Sequence, residues 1–217
     1  MFDNIKAAIF DLDGTLIDSM WLWEKIDYDF LKLRGLQVPS DLFDNIAHLN
    51  FLDTAKYFKN RFNLKDDVEK IMNEWNEMAY NEYAHNIKLK PYAKEYLNLL
   101  KSKGIKLAIA TSNHPKLLEV VLNNNKIYDY FDAISTTLEV KRGKNFPDIY
   151  LLSANKLNVS PNECVVFEDI ASAIKGAKAA GMKVIGVHDI HSEHQIDEII
   201  NLADHFIYKY EELTKVV

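Results

Sequence analysis

Asp11 and Asp13 stand two residues apart in the run Asp11-Leu12-Asp13-Gly14-Thr15-Leu16, directly after the apolar stretch KAAIF at 6–10. Aspartate and glycine are ordinary turn formers, so alone this pair reads equally well as a turn. Three other groups follow apolar runs in the same way. Thr111-Ser112-Asn113 follows KLAIA and precedes a helical pattern. A hydroxyl and backbone N–H groups at a helix start bind anions, and the same residue types also cap helices; one does not preclude the other. Lys144 lies in Gly143-Lys144-Asn145-Phe146-Pro147-Asp148, and Glu168-Asp169 follows ECVVF. A lone lysine is ordinarily a solvated one, but the four groups together supply carboxylates for a hard cation, a lysine, and hydroxyl and amide donors for an anion. Mg²⁺ takes a few carboxylates plus substrate oxygen and water. That inventory suits phosphoryl transfer, in which positioning and charge neutralisation dominate.

The elements that must position these groups are short and regularly spaced. KAAIF (6–10), KLAIA (106–110), FDAIS (131–135), ECVVF (163–167), KVIGV (183–187) and the shorter HFIYK (205–209) are nearly all apolar without strict alternation. That pattern predicts strands covered on both faces. Helical patterns lie between them at 91–103, 115–124, 147–157 and 170–180, with proline at the starts of the first three and glycine just past the ends of the first and last. Asn113 or His114 is the expected cap of the second. Alternating strand and helix predicts an α/β fold, a right-handed doubly wound (Rossmann-like) parallel sheet. Each of the four groups is then expected at the carboxyl end of a different strand, where ligands bind.

From about Ser19 to Asn86 the pattern is helical only, with helices expected from SMWLWEKIDYDFLKLRG to Gly35 and over 39–46, 51–61 and 65–85. The expected organisation is a core domain of residues 1–16 and 88–217, and a small all-helical domain of residues 17–87 placed over the loop-bearing edge of the sheet.

Composition excludes several classes. The formal net charge is −6 and the basic residues are scattered among acidic ones, unlike the clustered lysine and arginine of nucleic-acid binders. No apolar run approaches the roughly 18 residues of a membrane helix, and no signal-peptide pattern opens the chain. Nucleic acid and membrane are therefore not expected as partners. The single cysteine, Cys164, forms no intrachain disulfide and sits in an apolar run, as a buried structural thiol does. A cytoplasmic location fits, and a monomer is the expected assembly, with a dimer as the alternative.

Taken in order, the four groups resemble the motifs of the haloacid dehalogenase-like (HAD) superfamily. The resemblance is nearest to the subfamily with a helical cap after the first motif, which includes sugar-phosphate phosphatases and β-phosphoglucomutases. It runs through AAIFDLDGTLIDS, LAIATSN, GKNFPDIYL and VVFEDIASAIKGAKAAGM. The resemblance implies that Asp11 attacks phosphorus to form an aspartyl-phosphate. It implies that Asp13 protonates the leaving oxygen and then activates water. Thr111, with the amide of Ser112, would hold the phosphoryl oxygens, and Lys144 would offset phosphate charge and position Asp11. Mg²⁺ would be bound by Asp11, the carbonyl of Asp13, Asp169 and Glu168, the last directly or through water. Asn145 stands where the family usually has proline, and Ile170 and Ala173 where many members have serine and glycine. These departures bear on loop geometry more than on chemistry.

Asp13 narrows the reaction. A departing halide needs no proton, and phosphonatase-like members lack this acid, so its presence favours a phosphate ester. The expected reaction is Mg²⁺-dependent hydrolysis of a small phosphorylated metabolite such as a sugar phosphate. Thr15 supports a phosphatase over a phosphomutase, since β-phosphoglucomutases often carry valine there. The alternatives are such a mutase and a non-catalytic binding module that kept the fold. Asn113, Trp21, Trp23, Glu24, His48 and Asn50 are the candidates for substrate contact, the cap residues because the segment near 47–51 aligns with the family's specificity loop. Tryptophans placed as Trp21 and Trp23 are more often core of such a helical domain than ligand contacts.

Overall fold

The structure, a computed structural model, describes residues 4–46 and 51–214. Its strands are β1 (Ala7–Phe10), β2 (Ile17–Asp18), β3 (Lys88–Leu89), β4 (Lys106–Thr111), β5 (Ala133–Thr136), β6 (Cys164–Glu168), β7 (Lys183–Val187) and β8 (His205–Ile207). Its helices are α1 (Trp21–Leu33), α2 (Leu42–Ile46), α3 (Phe51–Arg61), α4 (Val68–His85), α5 (Ala93–Ser102), α6 (Pro115–Asn124), α7 (Asp148–Leu157), α8 (Ala171–Ala179), α9 (Ile196–Leu202) and α10 (Glu211–Thr214). The chain divides into two units, one of Met1–Met20 with Ile87–Val217 and one of Trp21–Asn86. No described helix is long and apolar enough to cross a membrane.

In the first unit the six apolar runs form one parallel sheet in the order β5-β4-β1-β6-β7-β8. The chain winds outward from β1 to β5, then crosses back to β6 on the other side of β1. Strand order therefore reverses at β1, the position where doubly wound sheets open a crevice for ligands. Phe10 stands level with Ile109 and Phe167 in the register, so the residues that follow these strands emerge together.

Both faces of the sheet are covered, which is why its strands read as unbroken apolar runs. On one face Ala7, Ile9 and Val166 pack with Ile149 and Tyr150 of α7 and Ile174 of α8. On the other, Phe10 stacks on Phe167 at 4.3 Å, with Tyr96 of α5 5.6 Å and Tyr210 6.1 Å from Phe167. Cys164 lies within the first face, and burial pushes its thiol up to about 11, as befits a structural cysteine.

The ends of elements differ from the sequence reading for identifiable reasons. β8 stops at Ile207 because the amides of Tyr208 and Lys209 turn to donate to Glu212 Oε1, both at 2.9 Å. The two-residue strands β2 and β3 pair antiparallel; at that length they have no period to read. Helices α9 and α10 were likewise not expected. α5 begins at Ala93 rather than Pro91, because Tyr92 adopts the left-handed conformation at φ +63°.

The helical unit has its own core. Phe30, Phe58 and Trp75 meet edge to face, with centroids 4.9 to 6.0 Å apart. Arg34 lies over the Phe30 ring at 3.7 Å and binds Glu74 through both terminal nitrogens, at 2.6 and 2.8 Å. Asp67 caps α4 by accepting from the Lys70 amide at 2.7 Å. Asp27 on α1 is buried, and burial first, then Glu24, pushes its carboxyl up to about 7. A carboxyl raised above its unfolded value disfavours folding where it must ionise. That cost grows as pH rises from about 4 to 7 and is full above. Asp27→Asn is therefore expected to raise stability at pH 8 by roughly 2–4 kcal/mol. The gain should disappear below pH 4 in denaturant titrations run at both values.

Candidate active site

Strand alternation decides where the two residues after Phe167 point. Glu168 shares the face of Cys164 and Val166, towards α7, and Asp169 turns the other way. Glu168 is fully buried, and Tyr150 of α7 donates its hydroxyl to Oε1 at 2.8 Å. Lys144 Nζ reaches the same Oε1 at 2.5 Å and Asp11 Oδ1 at 2.6 Å. One buried ammonium thus bridges carboxylates at the ends of β1 and β6. Lys144 is not itself at a strand end, as the sequence reading had it. It sits eight residues beyond β5, on the loop before α7.

Glycine makes that loop's position attainable. Gly176, in the interior of α8, lets the helix press on the lysine loop; a Cβ there would fall 2.0 Å from the Lys144 carbonyl oxygen and 2.9 Å from that of Phe146. Gly14 does the same for the first motif. It takes φ +79°, and a Cβ on it would lie 2.5 Å from Asp169 Oδ2.

Asp169, also buried, accepts from Thr15 Oγ1 at 2.7 Å and from Ser192 Oγ at 3.3 Å. Asp13 accepts from Ser19 Oγ at 2.7 Å and from Asn113 Nδ2 at 2.8 Å. Thr111 is buried at the end of β4, and its Oγ1 accepts from the Asn113 amide at 2.9 Å. His114 caps α6, accepting from the Lys116 amide through Nδ1, so Asn113 is left to hold Asp13. Ser112 is exposed beside them.

The charges do not balance within the protein. One ligand oxygen each from Asp11, Glu168 and Asp169 lies within 4.8 Å of the others, against the ammonium of Lys144 in direct contact and that of Lys90 acting on Asp169 through space. Burial, then Lys144 acting against it and Asp11 adding to it, leaves Glu168 pushed up to about 8. Burial and Asp11 push Asp169 up to about 7. Burial would lower Lys144, but Asp11 and Glu168 outweigh it and hold the ammonium above its usual range. Glu168 Oε2 is buried without a hydrogen-bond partner, which is rare in a folded chain. Three carboxylates, one orphaned oxygen and a surplus of negative charge fit a divalent cation.

The family model for haloacid dehalogenase-like hydrolases matches residues 8–187. The chain belongs to this family. It is 31% identical over 214 residues to a phosphorylated carbohydrates phosphatase of Thermotoga maritima, with 98% of each chain covered. It is 31% identical over 217 residues to hexitol phosphatase B of Escherichia coli K12, covering 97% of this chain and 95% of the other. A crystal structure from Thermotoga maritima, described provisionally as a beta-phosphoglucomutase, matches with TM-score 0.86 at 31% identity and 98% coverage of both chains.

The three positions at which the motif resemblance is imperfect have defined surroundings in this haloacid dehalogenase-like hydrolase. Ile170 precedes α8 and offers it no side-chain cap; Gln195 Oε1 accepts the Ala171 amide instead, at 3.3 Å. Ala173 gives its carbonyl to the Tyr150 hydroxyl at 3.2 Å. Asn145 is exposed, while Arg142 ties the lysine loop together by binding Asp148 at 2.6 and 3.1 Å.

The cap candidates fare unevenly. Trp23 packs on Phe51 at 5.7 Å inside the helical unit. Trp21 is half-buried and Glu24 exposed. His48 and Asn50 lie outside the described residues. Sequence reasoning missed Ser19, Tyr150, Ser192 and Gly176. Of these only Gly176 carried a signal, since glycine inside a helix costs about 1 kcal/mol against alanine. The motif resemblance makes Thr15 a mark of phosphatases; the structure also gives it the work of holding Asp169. Thr15→Val keeps the shape and leaves a buried carboxylate one donor short, a loss of about 1–3 kcal/mol. The expected result is a lower denaturation midpoint and a metal requirement raised about tenfold, read from activity against cation concentration.

Proposed function

We propose that this chain is a Mg²⁺-dependent phosphatase that hydrolyses a small phosphorylated carbohydrate, or a similar phosphomonoester, through an aspartyl-phosphate on Asp11. The observation that carries the proposal is the Asp11 carboxylate held by Lys144 within the buried cluster of Glu168 and Asp169. The relatives named for phosphorylated carbohydrates and hexitols support it.

An Asp11 oxygen attacks phosphorus, a P–O bond forms, and the ester P–O bond breaks. Asp13 gives its proton to the departing oxygen. It then takes a proton from water as that water attacks phosphorus, which frees Asp11 and releases inorganic phosphate. Lys144 offsets charge on the phosphoryl oxygens and fixes Asp11, and Thr111 with the Ser112 amide binds those oxygens. Asp11, Asp169, Glu168 and the Asp13 carbonyl would hold Mg²⁺, which supplies positive charge to the transferring group. An all-oxygen donor set of this kind suits Mg²⁺ over softer metals. We assign the choice of substrate to residues 17–87, the segment that contains the helical unit Trp21–Asn86, because the groups above recognise only phosphate.

A phosphomutase is the second reading, favoured by the provisional description of the Thermotoga structure. Phosphate release and isomerisation, assayed side by side on hexose and hexitol phosphates with Mg²⁺ and with EDTA, separate the two. Release that needs Mg²⁺ is the expected result. Isomerisation without net release would establish the mutase, and neither activity on any ester would leave a binding module.

A further inference from the structure

Lys90 and Asp189 form an ion pair that nothing in the chemistry above requires. Lys90 follows β3 directly, and its amide donates to the Leu16 carbonyl at 2.9 Å. Its Nζ lies 2.9 Å from Asp189 Oδ2 and 2.6 Å from the His188 carbonyl oxygen. The two side chains are only 13% and 5% exposed. Burying two charges is costly, and such a pair is weak evidence for stability alone.

Its consequence lies in the turn that Asp189 begins. Asp189 Oδ1 accepts from the His191 amide at 2.9 Å, and the Asp189 carbonyl from the Ser192 amide at 3.1 Å. These bonds fold Ile190–Gln195 into a 3₁₀ segment. From it, Ser192 Oγ reaches Asp169 Oδ2 and Gln195 Oε1 reaches the Ala171 amide, both at 3.3 Å. The second contact holds the start of α8, two residues after Asp169. The segment anchored by Lys90 therefore touches Asp169 on its side chain and on the backbone just beyond it.

We propose that Lys90 and Asp189 are positioning residues for the cation site, acting through Ser192 and Gln195 to fix Asp169 as a ligand. This rests on the reading of Asp11, Glu168 and Asp169 as that site. Groups that orient a ligand typically change metal affinity about 10- to 100-fold when removed.

Titration calorimetry with Mg²⁺ and Mn²⁺, without substrate, tests it on the full chain. Lys90→Met and Asp189→Asn are each expected to weaken binding about 10- to 100-fold. The double variant should be no weaker than the poorer single one, because both substitutions break the same ion pair. Folded Lys90→Met with the wild-type dissociation constant, or effects that multiply in the double variant, would overturn the proposal. Should Lys90→Met fail to fold, Ser192→Ala takes its place. It is expected to weaken binding roughly three- to tenfold, and unchanged affinity would overturn the proposal equally. If the wild-type chain binds neither ion, it is the cation site that fails.

Discussion

Asp11→Asn is expected to lower kcat on phosphate esters by a factor of about 10⁴–10⁶, the loss seen when a covalent nucleophile is removed. Asparagine fills the same space and cannot form the aspartyl-phosphate. The fold should not suffer. Lys144 keeps Glu168 as a partner at 2.5 Å, and the Asp11 charge is one of the causes that push Glu168 and Asp169 up. Removing one of three crowded buried carboxylates relieves that repulsion. Thermal unfolding of Asp11→Asn is accordingly expected at or above the wild-type temperature, as befits a site that trades stability for activity. A variant that lost both activity and stability would mean that Asp11 matters as a structural partner of Lys144.

Gly176→Ala carries the second large effect, and its sign is informative. In an open helix interior this change stabilises by about 1 kcal/mol. Here the new Cβ would lie 2.0 Å from the Lys144 carbonyl oxygen, a backbone atom that cannot rotate away. Either α8 or the lysine loop must move. Overpacking of this kind costs about 1–3 kcal/mol, and a shift near 1 Å in a catalytic group costs about 10²-fold in rate. The expected result is a lower denaturation midpoint together with a kcat reduced about a hundredfold and a smaller change in KM. Stabilisation with full activity would show that the helix does not set the position of Lys144.

Much of this arrangement was legible in the sequence. The six principal strands were readable because each is apolar on both faces, and Asp11, Thr111 and Glu168-Asp169 because each stands where such a run ends. Lys144 was legible as a residue but not as a place, since it reaches the site from eight residues past its strand. The groups that hold the buried carboxylates were hidden for a different reason. Thr15 and Asp169 are 154 positions apart, and Lys90 and the His188 carbonyl 98. Nothing in the spacing of threonine, serine or tyrosine announces such a partner. β2 and β3 are two residues each and exist only through their pairing. His48 and Asn50 lie outside the described residues, so their part in substrate choice stands as a proposal from the motif alone.

The proposed hydrolysis passes through a covalent bond from an Asp11 oxygen to phosphorus. Rapid acid quench during turnover of a hexitol or hexose phosphate with Mg²⁺, followed by peptide mass spectrometry, tests it directly. The expected result is one added phosphoryl group on the peptide that contains Asp11, removed by hydroxylamine and absent from Asp11→Asn. Steady turnover with the phosphoryl group on another residue, or undiminished turnover by Asp11→Asn, would contradict it.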